Sequence, residues 1–362
     1  MAIPTLNALL LSMVEQDSRE LHLKANAPAS VRLGGKLVPF KIPPLSAGSV
    51  KQIIYSGLRD RDKFELEKNL TVEVAFGIKG LSRFLASIYY QSGNLSALYR
   101  RMPWDYPIWK RLDLPDFLES PRPGLHLIGG KDAYESSLLL GSYLNHFSSS
   151  QSGKSSVFSR SGGLFGYTEP WTEHFGVGSD LHSVDEIVQR VLSAGGDLVA
   201  FEAINSRAGR REILETAFRG VPVVATVLGR SAEEVIANFT ADFPVHHLYS
   251  VRNKLSRALR WILVWEELPT FKPRQVCYAH EVLEVNQHVR RMIETPIANN
   301  ITRHLIDAPE SGRSRSIYLS LKELLDQIQI DYDTALLAAP DPDLLKEYLG
   351  KRGGDRRAGR RR

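Results

Sequence analysis

The chain has 362 residues, of which 43% are hydrophobic and 24% charged, as in a globular protein with about two domains. Its longest apolar runs, ALLLSMV and WILVW, are much shorter than the ~20 residues that a membrane span requires, and no secretion signal is recognisable. The single cysteine, Cys277, excludes an internal disulfide and any zinc site built from several cysteines. These features predict a cytoplasmic protein.

The formal net charge of +5 comes from the C-terminal end of the sequence. The last twelve residues, KRGGDRRAGRRR, carry seven basic residues and one acidic residue, so the other 350 residues sum to −1. This tail at 351–362 lacks a hydrophobic face, which predicts a disordered segment that contacts solvent, nucleic acid or anionic lipid. The rest of the chain has no basic excess, which argues against nucleic acid as its main ligand.

Residues 1–103 have the pattern of a mixed α+β domain. The apolar residues near its start recur at helical spacing: Leu6, Leu9, Leu10 and Met13. A second helix is predicted near 46–58, and strands are predicted at ELHLKA, SVRLGGKLVPF, LTVEVAFG and SRFLASIYYQ. The second of these strand segments turns at Gly34 and Gly35. The proline-rich stretch 104–123 is expected to be a linker with little regular structure.

Residues 124–350 alternate between apolar strands and amphipathic helices, which predicts a parallel sheet covered on both faces. Strands are predicted at GLHLI, DLVAF, VPVVATVL and RQVCYAHEVLEV, and the chain beyond residue 251 is otherwise expected to be helical. One helix is predicted at 134–147. Two more are expected to begin at capping boxes, formed by Ser183 with Glu186 and by Ser231 with Glu234.

The segment GKDAYESSL, which begins at Gly130, occupies the place of a phosphate-binding loop between a strand and a helix. A working loop reads G-x-x-x-x-G-K-[ST]; its backbone amides wrap the phosphates, its lysine supplies positive charge and its hydroxyl binds Mg²⁺. Here Ser137 supplies the hydroxyl, but Ser136 stands where the lysine belongs. Lys131 comes too early in the loop, and Glu135 would repel phosphate if it faced the site.

Acidic residues near the second core strand are further candidates. Glu202 ends the strand DLVAF, where an NTPase keeps the glutamate that positions water and Mg²⁺, although a surface acid can occupy the same place. Glu169 and Glu173 are either a carboxylate pair beside it or, in the interpretation that we favour, ordinary loop acids. The lysine-containing string SGKSS at 152–156 has no helix behind it and is interpreted as a flexible connector.

No arrangement typical of a Ser-His-Asp or Cys-His catalytic site is recognisable in the sequence. His246, His247 and His280 lack the spacing of metal ligands, so no metal site is predicted. His280 is expected to pack within a strand.

Taken in order, these segments resemble the PilT-type ATPases that retract type IV pili, within the wider secretion-ATPase superfamily. The resemblance covers roughly residues 5–350. In the N-terminal part it rests on SRELHLKANAPASVRLGGKL and RFLASIYYQSGNLSALYRRMP. GLHLIGG, YTEPWTE and DLVAFEA correspond to the strand before Walker A, the Asp box and Walker B. VVATVLGRSAEEVIANFTADFP corresponds to the histidine box, and AHEVLEVNQHVRRMIE to the retraction motif.

The resemblance implies an α/β fold with an N-terminal PAS-like α+β domain, a RecA-like P-loop NTPase core and a helical C-terminal region. It implies a hexameric ring with nucleotide between subunits. Arg83 and Arg100 fall on family arginines that reach toward the phosphates, Glu202 falls on the Walker B glutamate, and Arg290 belongs to the retraction motif. ATP and Mg²⁺ are the ligands implied if the site still functions, and otherwise no cofactor is expected.

The departures from the family pattern all concern phosphate chemistry. Ser136 replaces the lysine, Phe201 replaces the glycine before the Walker B glutamate, and Leu228 replaces the histidine of its box. Because the scaffold persists while these residues are lost, the sequence predicts a degenerate ATPase homologue retained as a structural or regulatory ring subunit. Its expected partners are copies of itself or an active PilT-like homologue, and a platform protein at the cytoplasmic face of the inner membrane.

Two other hypotheses remain open from the sequence. The first is an active ATPase with an unusual loop, in which Lys131 or Lys154 reaches the phosphates. The second is a nucleic-acid-associated adaptor that acts through the arginine-rich tail.

Overall fold

The computed structural model describes residues 4–33, 36–102, 108–151, 153–159, 171–177, 180–272, 275–295, 300–307 and 313–358. The chain forms two compact units, the first containing Met1–Asp105 and the second Tyr106–Arg160 together with Tyr167–Arg362. The exact domain limits that we drew, at residues 103 and 124, stay predictions.

The first unit is an antiparallel sheet with helices packed on it. Its elements are α1 (Leu6–Glu15), β1 (Glu20–Lys24), β2 (Ser30–Leu33), β3 (Lys36–Pro39), α2 (Ala47–Ser56), α3 (Asp60–Asn69), β4 (Thr71–Ile78), β5 (Ser82–Gln91) and β6 (Asn94–Met102). The six strands lie in the order β3-β2-β1-β6-β5-β4, and every neighbouring pair is antiparallel. This arrangement agrees with the predicted N-terminal α+β domain; the predicted turn at Gly34 and Gly35 lies outside the described residues.

The helical spacing at the start of the chain produces the core of the first unit. The predicted apolar residues of α1 are all buried: Leu6, Leu9, Leu10 and Met13. They pack in one cluster with α2 residues such as Ile54 and strand residues such as Phe84 and Tyr99. Helix α3 was not predicted because its sequence, DRDKFELEKN, is mostly charged and buries only Asp62 and Leu66.

The second unit contains the remaining helices and a larger sheet. Its elements are α4 (Ile108–Arg111), β7 (Gly124–Gly130), α5 (Ala133–Gln151), β8 (Ser155–Ser159), β9 (Thr172–Gly176), α6 (Ile187–Ala194), β10 (Leu198–Glu202), α7 (Arg207–Phe218), β11 (Pro222–Leu228), α8 (Ala232–Thr240), α9 (Val245–Ala258), β12 (Leu259–Pro269), β13 (Val276–Glu284), α10 (Gln287–Glu294), α11 (Asn300–Asp307), α12 (Ile317–Asp326), α13 (Tyr332–Ala338) and α14 (Pro342–Ala358). Single 3₁₀ turns occur at Asp116–Leu118 and Val184–Glu186.

The seven strands of this sheet lie in the order β13-β12-β7-β11-β10-β8-β9. All neighbouring pairs are parallel except β12 with β13. Strand β7 lies inside the sheet between β12 and β11, and all seven of its residues are buried. On one face Leu125 and Leu127 join a large apolar cluster, and on the other His126 lies against Trp261, which in turn contacts Tyr143. The predicted parallel α/β sheet, covered on both faces, is therefore confirmed.

Two strands of the sheet, β8 and β12, differ from our expectations. Strand β8 begins within the segment interpreted as a flexible connector, and all five of its residues are buried. Its serines are small enough to pack inside the sheet, and the hydroxyl of Ser155 donates a hydrogen bond to Thr172 Oγ1 at 3.0 Å on β9. Strand β12 lies in a region expected to be helical, because a short apolar run such as WILVW does not distinguish a strand from a buried helix.

The described part of the predicted linker, residues 108–123, includes a short helix that packs on the second unit. Ile108 and Trp109 are buried, and the Trp109 amide donates a hydrogen bond of 2.7 Å to the Ser142 hydroxyl on α5. These apolar side chains explain why α4 forms in a stretch whose prolines suggested irregular structure.

Of the two predicted capping boxes, the one at Ser231 caps a helix and the one at Ser183 does not. Ser231 accepts from the Glu234 amide at 3.2 Å and caps α8 as expected, but the Glu234 carboxylate accepts from the amide of Arg230. The prediction of a capping box formed by Ser183 and Glu186 is wrong. A 3₁₀ turn follows Ser183, and α6 begins only at Ile187. Helix α14 continues through Ala358, although we expected disorder from 351, because extending an existing helix needs no new nucleus.

The close packing of β7 predicts that a methyl group at Gly129 is destabilising. A Cβ there would lie 2.7 Å from side-chain carbons of both Val235 and Val264. Gly129→Ala should lower the free energy of unfolding by about 1–3 kcal/mol, the usual cost of overpacking. Urea unfolding followed by tryptophan fluorescence measures the change. Gly196→Ala is the control, because its Cβ would meet nothing closer than 3.5 Å; equal losses in both variants would contradict the explanation.

Candidate functional site

The carboxyl ends of the parallel strands bring most of the predicted site residues to one edge of the sheet. Strand β7 ends at Gly130 and β11 at Leu228, and these two residues are paired in register. Strand β10 ends at Glu202. Ser136 and Ser137 lie in the first turns of α5, the helix that follows β7. This is the edge where ligands bind in open α/β sheets.

The loop at this edge is very short. Only Lys131 and Asp132 separate Gly130 from the start of α5 at Ala133. Asp132 Oδ1 accepts a hydrogen bond of 2.8 Å from the Glu135 amide, and its carbonyl accepts one of 3.2 Å from the Ser136 amide. In a phosphate-binding loop the free amides at the helix N-terminus bind the anion. Here the Asp132 carboxylate of the chain itself occupies the position of the anion and acts as the N-cap of α5.

The lysine of the loop is also engaged within the chain. Lys131 forms an ion pair with the Glu135 carboxylate one helical turn away. The Glu135 side chain is only 8% exposed, and burial raises the pKa of its carboxyl to about 7, against the lowering effect of Lys131. The Glu135 carbonyl accepts a 3.0 Å hydrogen bond from Trp265 Nε1, which fixes the first turn of α5 against β12.

The two serines of the predicted site are buried within the chain. Ser136 Oγ donates to the carbonyl of Asp132 at 3.1 Å, which is a bond within the loop. Ser137 is fully buried, and its hydroxyl has no hydrogen-bond partner among the described residues. A Cβ at Gly130 would lie 2.7 Å from the Ser136 nitrogen, so glycine is required for the helix to approach the strand this closely. The Ser136 hydrogen bond therefore stabilises a closed loop, in which polar groups at the start of α5 bond within the chain.

A second acidic group lies beside the loop. Glu266, on β12, is largely buried, and burial raises the pKa of its carboxyl. Its charge, with that of Asp132, further raises the pKa of Glu135, so the three carboxyls influence one another. The nearby Arg230 contacts Glu266 at 3.3 Å and also donates to the carbonyl of Leu337 at 2.6 Å. The cations around the loop are thus matched by carboxylates.

Glu202 lies at the expected edge but is fully buried. The next residue, Ala203, has a φ of 54° and donates its amide hydrogen to Thr226 Oγ1 at 2.8 Å. Phe201 is also fully buried, and its ring stacks on Phe158 with centroids 5.7 Å apart. The position where the family has a glycine is therefore filled by a core aromatic side chain.

The two arginines predicted to approach the phosphates lie in the first unit. Arg83 on β5 pairs with Met102, and Arg100 on β6 pairs with Leu85. Because side chains alternate along a strand, both arginines lie on the same face of the sheet. Arg100 Nε is 3.8 Å from the Glu20 carboxylate. Arg83 Nε is buried and makes no hydrogen bond to a described residue.

Lys154 lies at the opposite edge of the second unit's sheet. It directly precedes β8, whereas Gly130 and Glu202 end strands parallel to it. Its ammonium contacts Glu173 on β9 at 3.1 Å, so Glu173 is an ion-pair partner in a strand rather than a loop acid. Glu169 lies outside the described residues.

Two further residues singled out from the sequence, Leu228 and His280, are not arranged to bind a ligand. Leu228, in place of the family histidine, ends β11 with 40% of its surface exposed. His280 is buried in β13, and burial lowers the pKa of its imidazole to about 3. Within the described part of the chain, no cluster of three or more potential metal ligands occurs. Among the described helices, none is both long and apolar enough to span a membrane.

The contacts that close the loop were not predicted from the sequence, although Lys131 and Glu135 were considered there. Asp132 and Glu135 form a D-x-x-E pattern, typical of a helix N-cap, that could have been recognised. Glu266 and Arg230 come from strand and loop segments far along the chain, and no local signal places them here.

Comparisons with known proteins agree with this architecture. Over 361 residues the chain is 22% identical to the type IV pilus ATPase PilU of Pseudomonas aeruginosa, covering 93% of this chain and 89% of PilU. It is 24% identical to the type IV pilus retraction ATPase PilT of the same organism, covering 92% and 98%. A crystal structure of the pilus retraction motor PilT with bound ADP superposes with a TM-score of 0.74, 24% identity and 95% and 99% coverage. No protein-family model matches the chain.

The fold is therefore that of an N-terminal domain followed by a RecA-like ATPase core with a helical C-terminal region, as the sequence predicted. In sequence and fold the chain is similar to the PilT-like type IV pilus and secretion ATPases.

The buried Glu135 carboxyl predicts a specific dependence of stability on pH. Its pKa is raised from 4.5 to about 7, so the folded state holds the proton more tightly than the unfolded state. The free energy of unfolding should therefore fall as the pH rises from about 4.5 to about 7. This group contributes up to about 3 kcal/mol of that loss. Glu281, whose pKa is also raised to about 7 by burial, adds to the same slope.

Glu135→Gln should reduce this loss of stability, because an amide does not titrate. Urea unfolding at pH 5 and pH 8, followed by tryptophan fluorescence, measures the difference. Asp113→Asn changes an exposed carboxylate of the same unit that takes part in no ion pair between described residues, and it should leave the slope unchanged. An unchanged slope in Glu135→Gln would contradict the burial of a titrating carboxyl in the loop.

Proposed function

We propose that this protein is a catalytically degenerate PilT-like ATPase homologue that serves as a structural or regulatory subunit of a type IV pilus motor or a related secretion motor. The similarity to PilU and PilT supports the motor assignment. The observation that carries the loss of activity is the closed loop, in which Asp132 caps α5 and Lys131 pairs with Glu135.

The size of the electrostatic change supports loss of nucleotide binding. Two unit charges 4 Å apart interact by about 4 kcal/mol at an effective dielectric constant of about 20. Because each ~1.4 kcal/mol is tenfold in affinity, loss of the lysine alone weakens binding by nearly a thousandfold. The carboxylates of Asp132 and Glu135, close to the place of the phosphates, would add repulsion.

The proposed assembly is a hexameric ring, of this chain alone or mixed with an active PilT-like homologue. It would work at the cytoplasmic face of the inner membrane, against a platform protein. The exposed apolar surface of α9 supports assembly: Val245 is 85% exposed and Tyr249, one turn later on the same helix face, is 76% exposed. A neighbouring subunit would cover such side chains.

The purified chain should neither bind nor hydrolyse MgATP at this loop. Isothermal titration of ATP with Mg²⁺ should give no Mg²⁺-dependent micromolar binding, because the amides and the lysine are engaged internally. An active PilT-like ATPase in the same buffer is the positive control. Magnesium-dependent micromolar binding by this chain would contradict the degenerate assignment.

An active ATPase with an unusual loop is the second candidate. It is supported by Glu202, which lies at the carboxyl edge of β10 in the Walker B position. Steady ATP turnover that is abolished in Glu202→Gln would favour this candidate. Lys154 cannot supply its cation, because it lies at the other edge of the sheet, so Lys131 would have to leave Glu135.

Mixed assembly makes a separate prediction. When combined with an active PilT-like homologue, the chain should join particles of six subunits that are measurable by mass photometry. Tyr249→Glu should weaken assembly by burying a charge at the subunit contact, whereas Glu119→Gln should not. Assembly that is insensitive to Tyr249→Glu would remove α9 from the interface, and a monomer under all conditions would contradict the ring.

A further inference from the structure

A basic cavity lies at the amino edge of the second unit's sheet, opposite the closed loop. It has a volume of about 290 Å³ and is bordered by the beginnings of β7 and β12, the end of β13 and helix α10. The lining side chains that matter here are four arginines, a histidine and a tryptophan: Arg122, Arg260, Arg290, Arg313, His126 and Trp261.

Three of the four arginines are not paired with a carboxylate of a described residue, and Glu284 is the carboxylate that lines the cavity. Among ion pairs between described residues, Arg313 contacts Glu284 at 3.2 Å, while Arg122, Arg260 and Arg290 take part in none. Burial, followed by the charges of Arg290 and Arg122, lowers the pKa of Arg260. The cavity therefore concentrates like charges, an arrangement that an anion would stabilise.

Arg260 is held in a fixed position. Its Nε donates to the carbonyl of Pro123 at 2.9 Å and its Nη1 to the carbonyl of Arg257 at 2.7 Å. Gly124 has a φ of 127°, and a Cβ there would lie 2.9 Å from the guanidinium carbon of Arg260. The backbone thus leaves space for this guanidinium and orients it in advance, which lowers the entropic cost of binding.

Buried polar atoms without partners line the same cavity. His126 is 1% exposed and Trp261 is 2% exposed. His126 Nε2, Trp261 Nε1 and Arg290 Nε are buried and make no hydrogen bond to any described residue. Such groups are costly to bury unpaired, so a bound polar group that pairs with them would be stabilised.

The protonation of His126 follows from its other nitrogen. His126 Nδ1 lies 2.9 Å from the carbonyl of Val223, which can only accept, so Nδ1 carries the hydrogen. Burial lowers the pKa of this imidazole to about 3, so the ring is neutral and Nε2 is an acceptor. The site therefore combines guanidinium donors with one hydrogen-bond acceptor.

We propose that this cavity binds a small phosphate anion that also carries a hydrogen-bond donor. Guanidinium groups match the geometry of phosphate oxygens, and His126 Nε2 accepts from a hydroxyl of the ligand. Both hydrogen phosphate and a small phosphomonoester with a free hydroxyl satisfy this chemistry. The site is distinct from the loop at Gly130, and the proposal does not depend on the proposed motor function.

The test is isothermal titration of the full chain with inorganic phosphate, glycerol 3-phosphate and sulfate at matched ionic strength and neutral pH. Saturable binding of one phosphate per chain is expected. Sulfate has the same charge as hydrogen phosphate but no hydrogen to donate, so it should bind more weakly. Tighter binding of glycerol 3-phosphate than of phosphate identifies a phosphomonoester as the ligand of the cavity. The reverse order identifies free phosphate as the ligand.

Arg290→Gln and Arg122→Gln should each weaken phosphate binding by about tenfold to a hundredfold. Arg291→Gln is the matched control, because this neighbouring arginine is exposed and does not line the cavity. Thermal unfolding confirms that the variants are folded. The proposal is overturned if the wild-type chain shows no saturable binding, if sulfate binds as tightly as phosphate, or if Arg291→Gln weakens binding as much as Arg290→Gln.

The same variants separate this proposal from the degenerate-loop assignment. ATP bound through its phosphates in the arginine cavity would be lost in Arg290→Gln and would not require Mg²⁺. Magnesium-dependent ATP binding that persists in Arg290→Gln would contradict the closed loop but would leave the phosphate cavity intact.

Discussion

The carboxylate of Asp132 at the start of α5 is the interaction on which the chemistry of the candidate site depends. A helix N-terminus offers unpaired amides and a partial positive charge, and a phosphate-binding loop keeps both for its ligand. In this chain Asp132 accepts from the Glu135 amide, and Glu135 holds the ammonium of Lys131. Both sources of positive potential are therefore engaged by internal carboxylates. A nucleotide would have to displace these contacts before it gained any of its own.

The second unit has a sheet whose two edges differ in charge. At the carboxyl edge Asp132, Glu135 and Glu266 surround the short loop, while Arg122, Arg260 and Arg290 line the cavity at the amino edge. Strand β7 joins the two, with His126 near its start and Gly130 at its end. Because the strand is buried along its whole length, the edges are held at a fixed separation. Carboxylates thus surround the loop at the carboxyl edge, whereas arginines without carboxylate partners among the described residues line the cavity at the amino edge.

The sequence predicted the architecture better than it predicted the site. Periodic apolar residues such as Leu6 and Met13 determine which face of a helix is buried, and alternating strands and helices determine the parallel sheet, so these features can be recognised locally. The serine-containing strand β8 could not be recognised, because its burial depends on neighbours distant in sequence. The absence of the lysine at Ser136 was visible, but the electrostatic effect of Glu266 on Glu135 depends on the registry between β12 and β7. Arg260 and Arg290 likewise converge only in the folded chain.

The packing around Phe201 opposes conversion of this edge of the sheet to the family's sequence pattern. Its ring stacks on Phe158, which stacks on Phe175 with centroids 5.1 Å apart, so a continuous aromatic group fills the core beneath Glu202. Replacing Phe201 by the glycine that the family pattern has would leave a cavity, and truncating a buried phenylalanine to alanine already costs about 3–5 kcal/mol. Opening the loop would also release the Asp132 cap from α5, at about 1 kcal/mol. Lysine would then have to replace Ser136, whose hydroxyl now bonds to the loop carbonyl of Asp132. Each step toward nucleotide binding removes an interaction that stabilises the fold, so the closed site is part of the core and is maintained by the same packing that preserves the scaffold.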